Sequence, residues 1–399
     1  MKNLNLLFIL LAYNFFSPKM IAQNQPVEKG YEFTVIKALP ATPVKDQYRT
    51  GTCWSFATIS FLESELLRMG KGEFDLSEMF VVRHCYPFKA DKYVRMHGNT
   101  NFDAGGQALD VLWVLDNYGI VPEEVYDGLL TGEKKHIHGG MDAVLSGYLE
   151  KVNTNNDEKL NLAWKDGLNG ILDAFLGEYP EEFIYKGKVY TPETFAGELG
   201  LNTGDYVCIG SFTHHPFYKN FILEVPDNWM WHKIFNVPLH EMMQVLDYAL
   251  EKDFTVIWDA DVSERGFDRK TDIVLVPSEN YEDLQGMDKL RWEGLNDREM
   301  QNLLYDFSSP KKEKVITQAM RQKGFDDLKT TDDHLMHITG LAEDQDGNPF
   351  YLVKNSWGTE GRVYEGYFYV SKAYMEYKTI FFMVHKDAVP GTIRTRLGI

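Results

Sequence analysis

The sequence predicts an α+β fold of two lobes with a cleft between them. Helical spacing dominates the first part of the chain, and short alternating or aromatic runs dominate the last. No internal repeat, low-complexity tract or long flexible linker separates the two parts. The 399 residues are enough for two or three domains or for one large two-lobed unit.

The elements follow in order. After Gly51-Thr52, apolar Trp54, Ala57, Phe61, Leu62, Leu66 and Leu67 recur at helical spacing, and Gly70 is placed to stop the helix. Ser77 is a candidate N-cap for a second helix, and a third spans about 107–118, after Gly105-Gly106. Residues 158–178 and 238–252 read as amphipathic helices; Ser309-Pro310 opens another, to about 322, with proline in the first turn. The strand signals are FTVIWDADV (254–262), HITGLAED (337–344), FYLVKNS (350–356), GYFYVS (366–371) and TIFFMVH (379–385). Turns such as Asp346-Gly347-Asn348 separate the later strands.

Composition narrows the function. Apolar residues make up 44% and charged residues 25%, a globular balance. The net charge of −18 repels phosphate backbones, and no basic patch offsets it, so nucleic acid is excluded as a partner. Residues 1–22 carry Lys2, a mostly apolar run from Leu4 to Phe16 and small or polar residues near Ala22, the pattern of a secretory signal peptide. The mature chain, 23–399, is then expected to be exported, periplasmic or extracellular, and to have no membrane span. Cys53, Cys85 and Cys208 are too few for a disulfide framework. Cys85 and Cys208 are read as buried small hydrophobes, with a pairing left open. No Cys or His spacing points to a metal, and no cofactor is implied.

The chemistry gathers around Cys53. A helix N-terminus offers free N–H groups and partial positive charge, so a thiol there is expected to have a lowered pKa. Gln47, six residues earlier, is a candidate donor to an oxyanion, with the backbone N–H of Cys53 as the second. His334 and His337 are candidate bases; three apart on a strand, they point to opposite faces. His385 reads as structural or exposed, and His214 and His215 as loop residues of open role. Asn355 is placed to orient an imidazole without adding charge, and Trp357 to cover that hydrogen bond.

Gln47, GTCWSFA, Asp333-His334 with Gly340 six residues on, and NSWGT with a later Gly366-Tyr367 together resemble the papain-like cysteine peptidases. The order Gln, Cys, His, Asn is that family's, and its spacing to the glycine selects His334 over His337. Leu76-Ser77-Glu78 and Gly105-Gly106 add to the resemblance, which implies that the glycine pair lies along the substrate backbone. Thr50 stands where the family usually has a cysteine, and 228 residues separate Gly106 from His334. Those departures, with YGIVPEEVYDG, LGLNTGDYVCI and VIWDADV, resemble the bleomycin hydrolase/aminopeptidase C branch.

The resemblance implies a papain-like two-lobed fold with a large helical insertion. The helical lobe spans about 35–128, the inserted helical and oligomerisation region about 130–310, the sheet lobe about 311–385 and the tail 386–399. It implies a cysteine aminopeptidase acting on peptides, and a homohexameric assembly. It also implies that the tail lies in the cleft, with the carboxylate of Ile399 meeting the substrate's amine. The fourteen residues beyond His385 span up to about 46–50 Å if extended, enough to return to the cleft. The rivals are a papain-type endopeptidase whose tail does not reach the cleft, and a non-catalytic papain-like binding protein.

Overall fold

A computed structural model describes residues 30–129, 133–154, 159–278 and 295–399, so the leader at 1–22 lies outside the described residues. In chain order the helices are α1 (Cys53–Arg68), α2 (Glu78–Arg95), α3 (Ala108–Tyr118), α4 (Gly139–Asn153), α5 (Trp164–Leu176), α6 (Pro192–Leu199), α7 (Leu239–Glu251), α8 (Asp297–Leu304), α9 (Gln318–Asp326), α10 (Lys372–Lys378) and α11 (Gly391–Leu397). The strands are β1 (Thr34–Ala38), β2 (Phe183–Tyr185), β3 (Lys188–Tyr190), β4 (Tyr206–Gly210), β5 (Asn220–Ile222), β6 (Lys233–Asn236), β7 (Val256–Ala260), β8 (Phe267–Asp268), β9 (Ile273–Val274), β10 (His334–Glu343), β11 (Pro349–Lys354), β12 (Tyr367–Ser371) and β13 (Thr379–His385).

One large sheet runs β5-β6-β4-β13-β7-β10-β11-β12-β9-β8, with β1 added on β10. β10 is its hub. Its first half, His334 to Ile338, pairs antiparallel with β7, and its second half, Gly340 to Glu343, pairs antiparallel with β1. Its other edge carries β11. Gly340 stands where the two partners meet: a Cβ there would overlap the carbonyl oxygen of Lys37.

Two cores flank the sheet. On one face α1 buries every residue from Cys53 to Leu66, and its Trp54, Phe56, Ile59 and Phe61 pack with Ile257, Leu335 and Phe381 of the sheet and with α2–α6. On the other face Val256, Trp258, Met336, Ile338 and Phe382 pack against α7, α10 and α11. The alternation along β7 and β10 divides these two sets, as a two-sided strand requires. Ser77 caps α2 by accepting from Phe80 N–H at 3.0 Å. Gly70, at φ +71°, follows α1.

Two expectations change. The helix expected from Ser309-Pro310 does not begin there. Glu313 forms a bridge with Pro277, its carboxylate takes Val276 N–H at 2.7 Å, and Thr317 caps the helix at Gln318 instead. The region 130–310, expected to be helical, does add α4–α6 to the helical lobe, but it also supplies β4–β9 to the main sheet. Among the described residues no helix is long and apolar enough to cross a membrane.

Candidate active site

Cys53 opens α1, the helix that joins the lobes, and is 8% exposed. Thr52 before it gives no side-chain cap to the first turn. Across the cleft the backbone N–H of Leu335 lies near enough to the thiol to favour its anion. That puts the sulfur beside the residue that follows His334.

His334 is the first residue of β10, and its Nε2 lies 2.7 Å from Oδ1 of Asn355. Asn355 follows the last residue of β11, held by its own N–H on Gly366 at 3.1 Å. The backbone N–H of Ser356 donates to the same Oδ1 at 2.7 Å, which fixes the amide's orientation. The imidazole must then carry its proton on Nε2, leaving Nδ1 as the basic nitrogen. The Trp357 indole stacks on the ring with centroids 4.7 Å apart, and Arg269 and Arg362 lie over the indole.

Gln47 is 5% exposed and is tied to the same corner. Its backbone N–H donates to Ser356 O at 2.9 Å, and its Oε1 accepts from the Ser356 hydroxyl at 2.6 Å. One Nε2 hydrogen goes to Thr50 O at 2.9 Å, leaving the other for a ligand. Thr50, in the cysteine's place, bonds to Thr52 and to Gln47 O. The structure thus brings Cys53, His334, Asn355, Trp357 and Gln47 to one cleft between α1 and the end of β10.

The electrostatics run against the expected thiolate. Burial, with smaller contributions from Asp332, Asp259 and Asp227, pushes the Cys53 thiol up to about 12, despite the Leu335 N–H. Burial also holds His334 down at about 4, against the raising effect of Asn355. A helix N-terminus supplies only partial charge, and desolvation by the surrounding core outweighs it. The resting pair is a neutral thiol beside a neutral imidazole.

Gly105 and Gly106 lie at this end of the cleft, crowded by protein in the free molecule. A Cβ on Gly105 would run into the Asp227 carboxylate, and one on Gly106 would come within 2.8 Å of the Trp54 ring. The Lys89 ammonium holds the loop by donating to the carbonyls of Asp103 and Gly105. Sequence reasoning missed Ser356, Lys89 and the three aspartates. Asp332 next to Asp333-His334 was the one local signal of an acidic cleft.

The remaining candidates separate cleanly. His337 turns to the helical lobe, where Nδ1 meets Ser60 Oγ at 2.9 Å and Lys354 Nζ lies 2.7 Å from the same oxygen. His385 is buried against Phe254 and Tyr206. His214 and His215 flank Glu224 at 3.3 and 2.7 Å. Cys85 and Cys208 are free and buried.

Ile399 is the correction. The tail is not extended: it turns at Lys386–Ala388 and forms α11, and Ile399 packs on the α7 face of the sheet. Arg394 binds Asp387 at 2.9 Å, and Arg396 binds Glu241 at 2.6 Å and Tyr218 at 2.9 Å. Helix formation uses about 1.5 Å per residue where extension uses more than twice that, so the reach to the cleft is lost. The face that holds α11 is opposite the one that holds α1.

The chain is similar to several known proteins. The sequence profile described as the Peptidase C1-like family matches residues 5–397. Aminopeptidase C of Lactococcus lactis subsp. cremoris is 24% identical over 392 residues, covering 88% of this chain and 82% of its own. Aminopeptidase W of Lactobacillus delbrueckii subsp. lactis is 23% identical over 421 residues, covering 93% of this chain and 87% of its own. Among solved structures, the crystal structure of PepW from Lactobacillus rhamnosis HN001 superposes with a TM-score of 0.69 at 20% identity, over 92% of this chain and 84% of that one.

Proposed function

Because the chain belongs to the Peptidase C1-like family and is a papain-like cysteine peptidase, we propose that it is an aminopeptidase that releases N-terminal residues from peptides. The single observation that carries the chemistry is the 2.7 Å contact between His334 Nε2 and Asn355 Oδ1, beside a cysteine that opens a helix. Nδ1 of His334 takes the thiol proton as the sulfur of Cys53 attacks the scissile carbonyl. The oxyanion is met by the unspent N–H of Gln47 Nε2 and by the backbone N–H of Cys53. His334 then protonates the leaving amine and activates water against the thioester. The curated relatives named aminopeptidases support the exopeptidase reading.

The test compares aminoacyl-aminomethylcoumarins bearing a free α-amine with their N-acetyl forms. An aminopeptidase cleaves the free form and refuses the blocked one. Equal cleavage favours an endopeptidase, a second reading to which the placement of Ile399 on the α7 face lends weight. Failure of Cys53 to react with iodoacetamide even at alkaline pH favours a binding protein instead. Export is part of the proposal, supported by the pattern of residues 1–22, and N-terminal sequencing of the protein recovered outside the cytoplasm tests it. A homohexamer, carried by the resemblance, is tested by light scattering.

A further inference from the structure

Three carboxylates beside Cys53 take no part in the thiol, imidazole and amide chain. Asp259 stands opposite Leu335 in the sheet, is fully buried, and neither of its oxygens meets a protein donor. Asp332, two residues before His334, is half-buried and accepts from Gln107 Nε2 at 2.8 Å. It lies within hydrogen-bonding reach of Asp259. Asp227 sits against Gly105 and accepts from Asn101 Nδ2 at 2.9 Å. Each of the three opposes ionisation of the Cys53 thiol.

An unpaired buried charge costs several kcal/mol, and negative groups beside a sulfur that must become an anion work against the reaction. Burial, with Asp227 and Asp333 nearby, pushes Asp332 up to about 7, and burial beside Asp332 holds Asp259 well above the carboxylate range, so the pair shares a proton when the cleft is empty. The cluster is complete only with a cation. A peptide whose first carbonyl lies over Cys53 carries its α-ammonium about 2.5 Å from the attacked carbon, by standard bond lengths. Asp259, cross-strand from Leu335, and Asp332, held by Gln107 beside Gly106, flank the place where that ammonium lies, whereas a lysine ammonium stands several bonds farther out.

We propose that Asp259 and Asp332 form the receptor for the α-ammonium of the substrate's first residue, with Asp227 at its rim. This rests on the aminopeptidase reading and assigns the terminal-amine anchor to groups inside the cleft. As the ammonium enters, the pair keeps its one shared proton, and the ammonium donates charge-assisted hydrogen bonds to the carboxyl oxygens, so its positive charge balances the pair's single negative charge. The incoming positive charge also cancels the negative field on the sulfur. The free amine is then both the mark of a substrate and the trigger for the nucleophile.

The isosteric double variant Asp259→Asn/Asp332→Asn tests the proposal on free and N-acetyl aminoacyl-aminomethylcoumarins. The ratio of kcat/KM between the two falls at least about tenfold in the variant, chiefly through KM of the free amine. Iodoacetamide also alkylates Cys53 of the substrate-free variant faster than that of the wild type at pH 7. An unchanged ratio, or an equal loss on both substrates, overturns the proposal. A wild type that does not distinguish the two substrates overturns the aminopeptidase reading itself, so the two failures are separable. Should the double variant not fold, Asp332→Asn alone, at the half-buried position, lowers the same ratio about threefold; an unchanged ratio overturns the proposal there too.

Discussion

The Ser356 hydroxyl donates to Oε1 of Gln47 at 2.6 Å, while the Ser356 carbonyl accepts the Gln47 backbone N–H at 2.9 Å. The serine that follows the imidazole's orienter therefore also aims the oxyanion donor. Gln47→Ala is expected to lower kcat about 10²–10³-fold, the cost of one oxyanion donor. Ser356→Ala lowers it by a smaller factor, about three to ten, because the amide remains but loses its guide. Steady-state kinetics on the double variant show no loss beyond that of Gln47→Ala, since the serine acts through the glutamine.

The two histidines of β10 should divide cleanly between catalysis and packing. Cys53→Ala and His334→Ala each lower turnover at least about 10³-fold with little change in Tm, since each removes a group that reacts. His337→Ala keeps kcat within about threefold but costs about 1–3 kcal/mol of stability, because the buried Ser60 hydroxyl loses its imidazole partner. Thermal unfolding and turnover measured on the same preparations separate the roles.

The resting charge state is open to titration. With the thiol near 12 and His334 near 4, both groups are neutral at pH 7: the thiol lies below its pKa and the imidazole above its own. Alkylation of the substrate-free enzyme by iodoacetamide should rise about tenfold per pH unit between pH 6 and 9, following the thiolate fraction. A rate already flat at pH 5 would mean a preformed ion pair and would count against this electrostatic picture.

Gly340→Ala tests the hub strand. The added methyl meets the Lys37 carbonyl, so β1 must part from β10, at a cost of about 1–3 kcal/mol. Tm falls, while the kcat of the molecules that remain folded changes little, because the overlap lies six residues from His334.

The sequence showed the parts of this molecule that obey a simple period. α1, α2, α3 and α7 follow helical spacing, and β7 and β10–β13 announce themselves by aromatic or β-branched runs. Cys53, His334, Asn355 and Gln47 were legible as residue types suited to one reaction, each in a local setting that fits its role, and the structure brings them together. What stayed hidden was relational. Proline after Ser309 looked like a helix start, but pairing of Glu313 with Pro277 overrides that local preference. The lowered thiol pKa followed from the helix end alone; no spacing rule reveals three aspartates converging from separate segments. The tail's reach was counted as extended chain, and its apolar Ile393 and Leu397 sat instead at helical spacing, ready to cover the sheet.

The pairing of β1 with β10, Thr34 against Glu343, has a consequence for the protein's birth. The nucleophile leaves the ribosome some 280 residues before the strand that carries its base, and that strand is held between β1 and β7 on one edge and β11 on the other. Such distant pairing is slow to form. The thiol therefore has no imidazole partner until the segment carrying His334 and Asn355 has been made and has joined the sheet.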